Sequence, residues 1–125
     1  MKEEIITVDA PGAIGPYSQA IRCGNMVFVS GCLPLCPKTA KIEREIKLAT
    51  KQMLENMKSV LIASGLSFDN VVKTTVFMSD LEMFTDMNEI YAEYFKKPYP
   101  ARSCVQVARL PKDVLVEAEC IAILK

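Results

Sequence analysis

The chain contains no histidine and no tryptophan. Without histidine, a phosphodiesterase loses its usual acid/base partner, and a zinc site loses its commonest nitrogen ligand. Excess charge is also missing. Fifteen basic residues balance fifteen acidic ones, so net charge favours neither nucleic acid nor a membrane surface. No apolar run approaches the roughly 20 residues that span a bilayer. The opening "MKEEIITVDAPG" has neither an apolar signal core nor an Arg-rich transit pattern, so the expected address is the cytoplasm. Cysteine is present five times, at Cys23, Cys32, Cys36, Cys104 and Cys120. Cys32 and Cys36 are the only local pair, as C-x3-C. A zinc site needs two further ligands, so the sequence predicts structural cysteines, no metal and no cofactor.

With 125 residues, half of them hydrophobic, the chain predicts a single domain over residues 1–125. Its first third reads as strands and turns. "IITV" (5–8) is a short strand, and "DAPGAIGPYS" (9–18) is a loop punctuated by glycine and proline. "QAIRC" and "MVFVSG" flank Gly24-Asn25, a hairpin connection rich in positive-φ formers. From about Arg44 to Ser64 the period changes. Ile46, Ala49, Met53, Met57, Val60 and Leu61 recur at helical spacing, and Gly65 stops the helix. "VVKTTVFM" (71–78) is a β-branched strand. Asp80 is placed to cap a second helix with a stripe of Phe84, Met87, Tyr91, Tyr94 and Phe95, ended by Pro98 and Pro100. Two further strands, from Pro100 to Val107 and from Val114 to Leu124, complete the order β-β-β-α-β-α-β-β.

Two helices with one apolar face each predict an α+β fold, with both helices covering one face of a mixed sheet. In "VVKTTVFM", Val72, Thr74, Val76 and Met78 share one parity, and Val71, Lys73, Thr75 and Phe77 the other. Apolar groups on both faces predict an oligomer. The last two strands also hold charges inside their apolar runs: Arg102 in "PARSCVQV", Glu117 and Glu119 in "VLVEAECIAIL". A charge in such a place is costly unless paired or used. Read alone, Arg102 is an ion-pair partner as readily as a ligand clamp. Parity cannot choose between the two glutamates.

"IGPYSQA", "SGCLPLCPKTA", "VVKTTVFMSDL", "MNEIYAEYF" and "PARSCVQVARLPKD" followed by "VEAECIAI" resemble the RidA (YjgF/YER057c/UK114) family of imine deaminases across the whole chain. The resemblance implies a homotrimer of chorismate-mutase-like subunits with sites in the clefts between neighbours. It implies hydrolysis of 2-iminobutanoate or 2-iminopropanoate to a 2-keto acid and ammonia, protecting pyridoxal-phosphate enzymes. Residue by residue, it implies that Arg102 binds the substrate carboxylate and that Glu117 handles the hydrolytic water. Tyr17, Ser30 and Asn88 line the same cleft, and Cys104 sits beside the arginine. Cys32 stands where the family often has glutamine.

The residue types suit that reaction. A guanidinium holds a carboxylate by two parallel hydrogen bonds, fixing position and plane. A protonated imine is already electrophilic, so the water needs orientation more than activation. Tyr17 or Ser30 can hydrogen-bond the imine nitrogen. Two alternatives remain open at this level: an endoribonuclease or translation inhibitor, and a ligand-binding or chaperone-like trimer without turnover. The balanced charge and the missing histidine speak against the first.

Overall fold

The computed structural model describes residues 1–125. Eight main elements follow the expected order. The strands are β1 (Lys2–Ile5), β2 (Ala20–Cys23), β3 (Met26–Cys32), β4 (Val71–Met78), β5 (Ala101–Gln106) and β6 (Val116–Ile123), and the helices are α1 (Ile46–Ala63) and α2 (Phe84–Tyr91). The strands form one sheet in the order β1-β2-β3-β6-β4-β5. Every pairing is antiparallel except β4 with β5. A parallel pair needs a crossover, and α2 supplies it.

α1 is bounded as its sequence dictates. The Glu45 carboxylate accepts from the Lys47 and Leu48 amides at 3.2 and 2.9 Å, satisfying two orphan donors at the N-terminus. At the other end Gly65 (φ 77°) reverses the chain. Leu66 N–H then reaches Leu61 C=O at 2.8 Å and Gly65 N–H reaches Ile62 C=O at 2.9 Å, closing a Schellman motif. All six stripe residues of α1 are buried. Met53, Leu54, Met57 and Leu61 are fully so, each contributing about 1.5–3 kcal/mol of burial.

Four local expectations are corrected. The first strand is Lys2–Ile5, not 5–8. At Thr7 the side chain of Gln19 takes the place of a neighbouring strand: Thr7 N–H donates to Gln19 Oε1 at 2.8 Å, and Gln19 Nε2 donates to Thr7 C=O at 3.0 Å. α2 stops at Tyr91 rather than running to Pro98. Its last turn tightens into three-residue bonds, Glu93 N–H to Ile90 C=O and Tyr94 N–H to Tyr91 C=O, both 3.0 Å. Phe95 then stacks on Tyr91 with ring centroids 4.4 Å apart. Asp80 caps a short 3-10 turn, Leu81–Met83, that leads into α2. Finally, a bulge between Val71 and Lys73 turns Val71 inward and exposes Val72, reversing the expected parity of that end of β4.

Both helices cover one face of the sheet. Thr74, Val76 and Met78 of β4 and Val116, Ala118, Cys120 and Ala122 of β6 are buried beneath them. The other face carries Phe28, Phe77, Val105 and Ile121 among the polar groups Thr75, Glu117 and Glu119. Phe28 and Val105 are each 42% exposed. That face is partly apolar and uncovered in the single chain.

Candidate active site

Arg102 lies on the helix-covered face, at the free edge of the sheet. It registers with Thr74 of β4, which is 1% exposed. Phe84, Asn88 and Tyr91 stand at i, i+4 and i+7 on one face of α2 and meet it there. The guanidinium carbon lies 4.6 Å from the Tyr91 ring centroid and 5.4 Å from that of Phe84. One guanidinium N–H donates to Asn88 Oδ1 at 2.8 Å. Tyr91 is itself pinned by a 2.8 Å hydrogen bond between its hydroxyl and Thr74 Oγ1, and burial pushes its pKa up. No carboxylate of the chain pairs with Arg102; the five ion pairs use other residues. A cavity of about 410 Å³ opens beside it, lined by Asn88, Tyr91, Ala92, Tyr99, Pro100 and Arg102. Cys104 shares the arginine's face two residues on, but its side chain packs against the core, and burial pushes its thiol up.

A second cluster forms on the open face where β3 meets β6. Val29 registers with Cys120 and Cys32 with Ala118, so three steps along β3 match two along β6. The extra residue makes a β-bulge at Ser30-Gly31, a device that re-aims side chains near sites. Glu117 leans over Gly31. Burial raises its pKa above the usual carboxylate range, with the charge of Glu119 adding to the effect. Glu119, of the same parity, is exposed. The Ser30 hydroxyl donates to Ser18 C=O at 2.6 Å, so its remaining capacity is as an acceptor. The Tyr17 hydroxyl accepts from Ile14 N–H at 3.4 Å, which keeps its own O–H free to donate. Tyr17, Ser30, Gly31 and Cys32 line a cavity of about 290 Å³ under the 10–17 loop.

The structure brings Arg102 to Asn88, and brings Ser30 and Glu117 to the bulge, with Tyr17 beside Ser30 in a cavity that Glu117 does not line. It does not bring the two groups together. Arg102 registers with Thr74 and Glu117 with Phe77, three residues apart on an unbulged stretch of β4. An odd separation places them on opposite faces of the sheet. They also lie two strands and three residues apart, roughly 10 Å in each direction. The alternation of each strand was visible in the sequence, but their relative facing depends on cross-strand register. Phe84 and Tyr91, legible only as core stripe, and Gly31, legible only as part of "SGC", are the site residues that sequence reasoning missed. The i, i+4, i+7 spacing of Phe84, Asn88 and Tyr91 was the available signal.

The model of the family described as Endoribonuclease L-PSP matches residues 7–124. The chain belongs to this family. It is 54% identical over 123 residues to a RutC family protein of Pyrococcus horikoshii, covering 98% of each chain. It is 45% identical over 126 residues to the 2-iminobutanoate/2-iminopropanoate deaminase of Escherichia coli, again covering 98% of each. Among solved structures, E. coli TdcF with bound serine superposes with a TM-score of 0.94 at 48% identity, over 98% of this chain and 99% of that one. The resemblance to the RidA deaminases and the α+β fold are therefore borne out. No helix of this L-PSP family member is long and apolar enough to cross a membrane.

The aromatic clamp on Arg102 makes a first expected result. Tyr91→Leu removes the ring face and should weaken 2-keto acid binding by roughly 0.5–2 kcal/mol, the range of a cation–π contact. Tyr91→Phe keeps the face, loses only the Thr74 bond, and should bind nearly as the unaltered protein does. Calorimetric titration of both variants checks this; equal losses would make the hydroxyl, not the ring, the positioning element.

Proposed function

We propose that the chain hydrolyses 2-imino acids to 2-keto acids and ammonia in clefts between its copies, Arg102 coming from one copy and Glu117 from its neighbour. The observation that carries this reading is the pair of half-sites on opposite faces. One is a guanidinium held between two rings with no acid partner. The other is a half-buried carboxylate with a raised pKa. Neither is complete alone, and the uncovered apolar face gives copies a reason to associate. A closed homotrimer would repeat the cleft three times. Light scattering at micromolar concentration is expected to give three times the 13.9 kDa chain mass; a monomer would remove the site.

In such a cleft Arg102 takes the substrate carboxylate bidentately, fixing the plane of the adjacent C=N bond. The protonated imine nitrogen donates to Ser30, whose hydroxyl is committed as an acceptor. Glu117 accepts a proton from water as its oxygen bonds to the imine carbon, and the C=N electrons return to nitrogen. Tyr17 can donate to the new carbinolamine oxygen. The carbinolamine then collapses: Glu117 returns its proton to the nitrogen, the C–N bond breaks to release ammonia, and the freed carboxylate takes the hydroxyl proton as the C=O bond forms, passing it to the departing ammonia. No covalent intermediate with the chain is needed.

The imines meant are 2-iminobutanoate and 2-iminopropanoate, the products of pyridoxal-phosphate enzymes that eliminate water from threonine or serine. Added to a threonine dehydratase reaction, the protein should accelerate ammonia release. An unchanged rate, with RNA cleaved by nuclease-free protein in a parallel assay, would favour the endoribonuclease reading instead. The pH profile carries a further expectation. Glu117 must be ionised to act, and its pKa is raised, so the acid limb of kcat/KM should lie above the ordinary glutamate range. Glu119→Gln removes one cause of that shift. It should move the limb to lower pH and leave the neutral plateau unchanged. A limb that stays put in this variant would mean that Glu117 does not set it.

A further inference from the structure

We infer that Gly31 is a positioning residue for the Glu117 carboxylate: it is glycine because that carboxylate occupies the space of its missing side chain. The inference rests on the role proposed for Glu117. Gly15, Gly24 and Gly65 take positive φ angles that exclude most other residues. Gly31 does not, so its backbone is one that any L-residue adopts. What excludes a side chain is a neighbour. A Cβ built on Gly31 falls 2.1 Å from Glu117 Oε2, 2.9 Å from its Cδ and 3.2 Å from its Cγ. The obstruction is therefore the carboxylate end of one residue. Alanine at this position forces that end away while leaving the strand path intact.

The bulge explains how this arises. Ser30 and Gly31 together oppose one position of β6, which tips the Gly31 Cα toward the side chain of Glu117 instead of past it. Ser30 is held in the same turn by Gln19 C=O and Ser18 C=O at 3.0 and 2.6 Å. The floor under Glu117 is thus fixed on one side and bare on the other. Displacing a reacting group by about 1 Å costs roughly a hundredfold in rate.

The test is a pair of mutant cycles. Gly31→Ala should lower kcat on the order of a hundredfold, with 2-keto acid affinity unchanged because Arg102 is untouched. In a Glu117→Gln background the same change should add little, since the proton acceptor is already gone. Melting temperature supplies a readout independent of activity. Gly31→Ala alone should lower it, and the Gly31→Ala/Glu117→Ala double variant should recover the loss because the methyl then has room. That recovery also covers the case in which the single variant folds poorly. Full activity in Gly31→Ala with Glu117→Gln crippled would overturn the positioning role and leave the proposed reaction standing. A melting-temperature loss unrelieved by Glu117→Ala would overturn it too. A fully active Glu117→Gln would instead sink the reading on which the inference rests.

Discussion

Arg102→Ala is expected to abolish imine hydrolysis while the protein remains folded and assembled. Its guanidinium has no carboxylate partner in the chain and bonds only Asn88 among polar side chains, so folding does not depend on a salt bridge there. The substrate does. Losing a charged, hydrogen-bonded partner for the carboxylate costs roughly 2–5 kcal/mol, which corresponds to about thirtyfold to several-thousandfold in binding. Arg102→Lys should recover little. An ammonium cannot reproduce the planar fork, and it loses the stacking of a flat cation between Phe84 and Tyr91. Steady-state rates with enzymatically generated imine decide the matter. Near-normal activity in the lysine variant would show that bidentate geometry is irrelevant.

The second large effect separates chemistry from binding. Glu117→Gln should lower turnover by roughly 10²–10⁴, the usual worth of a positioned proton acceptor, while 2-keto acid affinity survives. Its effect on stability should have the opposite sign. A carboxyl whose folded-state pKa is raised above its unfolded value favours folding at low pH, and that contribution is lost as pH rises through the folded pKa. At neutral pH the ionised Glu117 is therefore a burden to the fold, and a neutral amide in its place should melt at the same temperature or higher. Loss of rate together with loss of stability would point to a structural role. Glu119→Gln, on an exposed carboxylate, should leave neutral-pH turnover unchanged; a crippled Glu119→Gln beside a silent Glu117→Gln would put the working carboxylate two residues further along β6.

Much of this architecture was legible because it follows from local periodicity. The stripe Ile46 to Leu61 announces α1, and Gly24-Asn25 announces the β2–β3 hairpin. The charges inside the last two strands announce that something there is used. What stayed hidden is non-local. The first strand moved because one distant side chain, Gln19, took over the backbone of Thr7. α2 ended early because Tyr94 and Phe95 pack better off the helix, with Tyr94 donating to Glu55 at 2.7 Å. Most consequential is the facing of Arg102 and Glu117. Each strand's alternation can be read from its residues, but the relation between β5 and β6 passes through the register of β4. Likewise, the distinction between Glu117 and Glu119 comes from a bulge in β3, and no pattern within "VEAECIAI" could reveal it.

Complementation decides whether each cleft is shared between two copies. Arg102→Ala and Glu117→Gln chains, each inactive, are co-expressed with different tags and the mixed assemblies purified. If every cleft takes its arginine from one subunit and its glutamate from the next, each mixed trimer has both groups intact in one of its three clefts, about a third of the total. The mixture should then regain about that share of normal activity, with unaltered KM in the restored clefts. If one chain supplies both groups, no cleft in any mixture is complete. Mixed assemblies that stay as inactive as either parent would contradict the account.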